Sequence, residues 1–346
     1  MTIVQSTFDA VVANRRRRKV KRAAMLATLA AIVIALFALT LSLGQSYTPP
    51  HQVIGVLLGE DIPGAAFTVG QLRLPRALLC VLAGLCFGLG GVAFQVMLRN
   101  PLASPDIIGI SFGASAAAVF AIVILSLDGP AVSLIAVFSG LGVALTVYGL
   151  ASRNGVAGAR LILVGIAVSA MLESFVAYVL SQAPAWSLQE AMRWLTGSVN
   201  GARIDLVAPL LLALVIFGGL LLARGRDLEA LRLGDEMAAG LGVSFERTRM
   251  TIMVAAVGLI ACATAITGPI SFVAFLSGPI AARLFGNGGS LLIPAALVGA
   301  VLVLAADYCG QFLLPSRFPV GVVTGALGAP YLLFLIIRAN RNGGSL

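Results

Sequence analysis

Ten runs of roughly twenty apolar residues leave this chain little freedom in what it folds into. They fall at 23–43, 75–98, 107–126, 131–151, 161–181, 204–223, 250–267, 269–285, 291–312 and 319–338. A helix crosses a ~30 Å hydrocarbon layer in about 20 residues, and in lipid it satisfies its own backbone groups. Composition agrees, with 59% of 346 residues hydrophobic and 11% charged. Ordinary soluble domains carry about 25% charged residues. A soluble enzyme, a disordered tail and a disulfide scaffold are therefore excluded. The expectation is an all-α integral membrane protein with about ten transmembrane helices. Residues 250–285 are almost unbroken, and Gly268-Pro269 is the expected break. Proline lacks a backbone donor and disfavours helix in the residue before it.

The charges orient this layout. With the N-terminus inside, 18 of the 23 Lys and Arg are cytoplasmic, seven of them within Arg15–Arg22. Arg73, Arg76, Arg193, Arg203 and Arg317 stay outside. That asymmetry follows the positive-inside rule and puts both termini in the cytoplasm. The net charge of +9 thus records orientation rather than a nucleic-acid surface. The first run is longer than the 7–15 residues of a signal-peptide core, so it reads as a retained helix. Residues 1–22 form a basic cytoplasmic tail facing anionic headgroups, and 23–340 form the ten-helix domain. His51 is the sole histidine, which rules out a His-based metal site or general base in the membrane. Cys80, Cys86, Cys262 and Cys309 form no C-x-x-C pair and read as small buried hydrophobes. No cofactor or metal is expected.

Three loops exceed the length of a connector. Segment 44–72 leads into Arg73 and Arg76, spaced to project from one helix face either into lipid headgroups or as a docking point for an acidic partner. Segment 182–203 holds both tryptophans, Trp186 and Trp194. Its apolar residues at 188, 191, 192 and 195 have the spacing of a short interfacial helix. Segment 224–249 is dense in both charges. Asp235 and Glu236 suit the positive end of a short helix, Gly240 and Gly242 can stop it, and Ser244 is placed to cap the next. Such a helix, turn and helix form a compact knob for another protein, and Ala238, Ala239 and Gly240 allow that partner close.

Five strings, in this order, resemble signature stretches of the iron–siderophore and vitamin B12 ABC importer permeases. They are Leu72-Arg-Leu-Pro-Arg76, Arg99-Asn-Pro-Leu-Ala-Ser-Pro-Asp106, Gly234-Asp-Glu-Met-Ala-Ala-Gly-Leu-Gly-Val243, Gly268-Pro-Ile-Ser-Phe-Val273 and Pro319-Val-Gly-Val-Val-Thr-Gly-Ala-Leu-Gly-Ala-Pro330. The resemblance runs from about residue 30 to the end. It implies a type II importer permease fold in the inner membrane, paired with a second permease chain. Two cytosolic ATPase subunits and an extracytoplasmic substrate-binding protein complete such an assembly.

By the same resemblance, Arg73 and Arg76 receive the binding protein. Gly234, Asp235, Glu236, Ala238, Leu241 and Gly242 belong to the ATPase-coupling helix, and Asn100, Pro101 and Leu102 to a cytoplasmic gate. A second gate segment precedes Arg160, where Gly158-Ala159 replaces hydroxyl residues; Ile280 follows Pro279 where the family commonly has histidine. Siderophore systems often pair two different permeases, and a related, non-identical twin is expected here.

Glu173 is singled out by the residues alone. It lies 13 residues beyond Arg160, about 20 Å along a helix. Intramembrane acids are costly and face a cavity or a partner. Glu173 is therefore expected to line a path or a permease interface, the alternative being a neutral, hydrogen-bonded structural acid, with Asp307 the second candidate. No G-x-x-x-x-G-K-[ST] phosphate loop is present, so ATP chemistry belongs to a separate subunit and this chain is not an enzyme. The resemblance implies import of ferric siderophore. Cobalamin or haem import is the alternative, and an ion-driven secondary transporter is the remaining class.

Overall fold

The computed structural model describes residues 2–104, 109–151, 158–286 and 288–341. Pro105 and Asp106, which end the second of the five strings, lie outside the described residues. All regular elements among the described residues are helical. Helix α1 (Thr2–Ser42) is followed by α2 (Pro50–Leu57) and by a π-helical stretch, Ala66–Arg73, that runs into α3 (Leu74–Met97). Next come α4 (Ile110–Val123), α5 (Gly129–Ala151), α6 (Gly158–Ser181) and α7 (Ala185–Leu195). The run at 204–223 is a composite in which α8 (Val207–Ala213) and α9 (Gly219–Ala223) flank a π-helical turn. Two short helices, α10 (Gly225–Leu231) and α11 (Asp235–Gly240), precede α12 (Phe245–Thr267). Helices α13 (Val273–Phe285), α14 (Leu292–Tyr308) and α15 (Val320–Arg341) complete the chain.

Among the described residues, seven helical stretches are long and apolar enough to cross a bilayer. Three shorter apolar helices, Ile110–Val123, Val273–Phe285 and Val320–Leu335, occupy the other runs. The break at Gly268 is present: α12 stops at Thr267 and Gly268 takes a φ of 69°, open to glycine at little cost. No break separates the basic tail from the first run, because α1 continues through both for 41 residues. Its sequence has no glycine or proline, and arginine, lysine, leucine and alanine all favour helix. Arg22 holds the basic stretch in place, bonding the carbonyls of Gly288 and Ser290 and lying over the Phe285 ring.

Helix α3 is the hub, packed against α12, α13 and α14 with 83% of its apolar window buried. Glycine notches make this possible. A Cβ on Gly84 would stand 2.5 Å from the Cα of Ala300, and Cβ atoms on Gly88 and Gly91 would collide with the carbonyls of Ala295 and Ala274. Gly299 of α14 meets the Gly84 carbonyl in the same way. Lipid tails are as apolar as leucine, so close backbone approach of small residues supplies the packing. A second cluster joins α4, α5 and α7 through Ala114, Ala118, Val119, Ala136 and Ala191. In α7 the expected amphipathic helix is present, with Ser187 and Ala191 buried and Trp186 exposed.

Candidate functional site

A cavity of about 730 Å³ opens between α4, α6, α13 and α15. Ser111 and Ser115, one turn apart on α4, line it beside Val176 of α6, Phe272 and Phe275 around the start of α13, and Leu332 of α15. Leu102, Ser104, Leu195, Pro269 and Ile270 complete the lining. Glu173 supplies the one carboxylate in a wall of hydroxyls and apolar groups. It is exposed on α6, a helix whose apolar window is only 11% buried. The acid expected to line a path does line a cavity. The serine pair was legible as an i, i+4 hydroxyl stripe on an apolar helix, and the sequence reading missed it.

Asp307, the second candidate acid, has a different role. Its two carboxylate oxygens accept from Nε and Nη2 of Arg76 at 2.7 and 2.8 Å, and its side chain is 3% exposed. This bidentate pair ties α3 to α14. Arg73 turns elsewhere. Its guanidinium donates to the carbonyls of Leu41 and Ser42 at 2.9 and 3.2 Å and to the Ser46 carbonyl at 2.6 Å. It thereby closes the end of α1, whose last carbonyls have no helical partners. The expectation of two arginines projecting from one face is thus corrected. Arg73 closes the π-helical stretch and Arg76 lies in the first turn of α3, and both charges find internal acceptors instead of projecting freely.

At the opposite end of α3, the segment 224–249 forms the expected compact knob. Gly234 at φ 109° and Gly242 at φ 82° bracket α11, with Asp235 and Glu236 in its first turn. Ser244 occupies the N-cap position of α12 but makes no side-chain capping bond. Ala238 is also corrected. It is fully buried with Leu228 and Leu231, anchoring the knob to the body, so it offers no surface to a partner. The exposed apolar face is Leu233, Met237 and Leu241, each at least 60% exposed.

Asn100 and Pro101 border a smaller cavity of about 290 Å³ with Arg99, Arg232 and Pro279, whereas Leu102 reaches the larger one. Arg99, which received no role from the sequence, bonds the Leu231 carbonyl at 2.9 Å and pairs with Asp235. Gln95 donates to the Phe275 carbonyl at 2.9 Å, linking α3 to the cavity wall on α13. Ile280 packs against the main core and Arg283 lies over the Phe334 ring at 5.3 Å. Gly158, the one residue of the second gate segment that bounds an element, opens α6. Among the described residues, no three His, Cys, Asp or Glu side chains gather as a metal site would require.

A family model for the FecCD transport family matches residues 32–338. The chain belongs to the FecCD transport family. It is similar to the ferric enterobactin transport system permease protein FepG of Escherichia coli, at 42% identity over 84% of this chain and 88% of that protein. The achromobactin transport system permease protein CbrC of Dickeya dadantii is 38% identical over 89% of each chain. A solved structure described as a metal-chelate type ABC transporter in an inward-facing conformation superimposes with a TM-score of 0.81. It is 25% identical and covers 91% of this chain and 99% of its own. As a FecCD member, the chain is a multi-pass membrane protein of permease type.

Proposed function

We propose that this chain is the membrane-spanning permease subunit of an ATP-driven importer that carries ferric siderophore across the cytoplasmic membrane. Ten helices cross the bilayer with both termini inside, residues 1–22 lie in the cytoplasm and 23–340 form the permease domain. The chain pairs with a related, non-identical permease, and the pair works with two cytosolic ATPase subunits and an extracytoplasmic binding protein. ATP hydrolysis takes place on the ATPases, and the permease supplies the path.

The observation that carries this reading is the cavity beside Glu173, on the least covered of the seven long apolar stretches among the described residues. A second permease seated against α6 converts that open side into a shared path. Similarity to a ferric enterobactin permease favours an iron chelate as cargo. The exposed face of Leu233, Met237 and Leu241 supports an ATPase docking surface in 224–249, held in shape by Gly234, Asp235, Glu236, Ala238 and Gly242. Asn100, Pro101 and Leu102 act as the cytoplasmic gate. Arg73 and Arg76 serve binding-protein docking by fixing the outer ends of α1 and α14, and the exposed Arg193 and Arg317 supply outer charge.

Uptake of radiolabelled ferric enterobactin into cells lacking this chain is the test. Wild type restores uptake, and Met237→Glu/Leu241→Glu, which alters only the exposed knob, does not. Unchanged iron uptake in the deletion strain removes the siderophore assignment, and labelled cobalamin and haem are then the cargoes to measure. Ion-driven transport loses one of its two supports, because the Asp307 charge is matched by Arg76.

A further inference from the structure

Helix α3 ends in a turn whose backbone calls for glycine. The N–H of Arg99 bonds the Val96 carbonyl at 3.2 Å and that of Asn100 the Gln95 carbonyl at 3.0 Å, the paired bonds of a Schellman termination. Arg99 sits at the left-handed position with φ 50°. At the end of α11 the same paired bonds place Gly242 at this position with φ 82°, and a glycine at 99 would likewise close the turn without strain. An arginine kept in a strained glycine position points to a use for its side chain.

That side chain reaches the knob. Arg99 Nε donates to the carbonyl of Leu231, the last residue of α10, and the guanidinium pairs with Asp235, the first residue of α11. One planar fork thus grips both helices across the turn between them. On its other side, Arg99 opens a stiffened loop. Asn100 Oδ1 accepts from the Leu102 N–H at 2.9 Å, and the Ala103 N–H donates to the Asn100 carbonyl at 3.0 Å. Leu102 and Ser104 then line the large cavity.

We propose that Arg99 is the tie that carries movement of the knob into the loop lining the transport cavity. The inference rests on the importer reading above and adds to it a positioning residue that lies between the ATPase-facing surface and the path. The apolar anchors Leu228, Leu231 and Ala238 hold the knob against the body. Arg99 is the directional polar link from both knob helices to residues 100–104.

The test is Arg99→Gly in the permease complex reconstituted with its ATPase and binding protein. Glycine relieves the strained turn, so the thermal midpoint stays at or above wild type and ATP hydrolysis continues. Import of ferric enterobactin per ATP hydrolysed falls about tenfold, the loss of one coupling contact. Arg99→Lys, a point charge in place of a fork, gives an intermediate ratio. Wild-type coupling in Arg99→Gly overturns the tie. So does failure of that variant to assemble, which makes Arg99 a structural support. If the wild-type complex binds its ATPase but imports no iron chelate, the cargo reading fails by itself. The tie is then read from spin labels at Leu241→Cys and Leu102→Cys through the ATP cycle. A label separation that Arg99→Gly leaves unchanged overturns it.

Discussion

The two ends of α3 use the same pair of side chains in opposite settings. At the first end Arg76 meets Asp307 with two hydrogen bonds, and the two side chains are 20% and 3% exposed. At the other, Arg99 meets Asp235 where the side chains are 40% and 49% exposed. A buried pair cannot be broken cheaply, because each lost partner leaves an uncompensated charge in a low-dielectric interior. A half-exposed pair exchanges its partner for water at little cost. The difference teaches that an arginine–aspartate contact fixes structure only where solvent is excluded. The first end of α3 is fastened to the body of the fold, and the second is tied to the knob by contacts that add little to stability and move with it.

The largest expected effect breaks the fastened end. Arg76→Ala lowers the stability of the purified chain by about 3–5 kcal/mol, read as loss of folded yield and thermal midpoint. Arg76→Met with Asp307→Leu, removing both charges, recovers most of that loss; no recovery would show that the pair acts through more than mutual neutralisation. Arg73→Met comes next. It frees the carbonyls of Leu41, Ser42 and Ser46, costs about 1–3 kcal/mol, and raises amide exchange at the end of α1 while leaving α14 protected. The smallest effect sharpens the other side. Asp235→Asn changes stability by less than about 1 kcal/mol, and 1 M salt produces a similar change in wild type by screening the pair. A loss at Asp235 as large as that at Arg76 would erase the distinction between the two ends.

Much of this architecture is legible in the sequence because lipid imposes one-dimensional rules. The apolar runs, the Gly268 break, the α7 helix and the helix–glycine–helix form of 224–249 follow from run length, proline and glycine placement and helical spacing. The errors share a cause. Arg73 and Arg76 looked free because their acceptors, at 41–48 and at 307, are remote in sequence. Ala238 looked like partner surface because it is small, yet it faces inward while Met237 and Leu241 face solvent. That reverses the usual burial order for a helix outside lipid. Glu173 lines the larger cavity, where an acid on an otherwise apolar helix has few other places to go.

The glycine notches between α3 and α14 have a consequence for motion. Backbone seated on backbone has no side chain to yield, so the two helices turn together as one stiff beam. Arg73 holds one end of that beam to the end of α1, which makes it the fulcrum, and Arg76 clamps the two helices together there. Helix α3 has 24 residues, about 36 Å of lever arm at 1.5 Å per residue. A rotation of about 5° at the fulcrum therefore sweeps the tip at Arg99 through roughly 3 Å, about the length of one hydrogen bond.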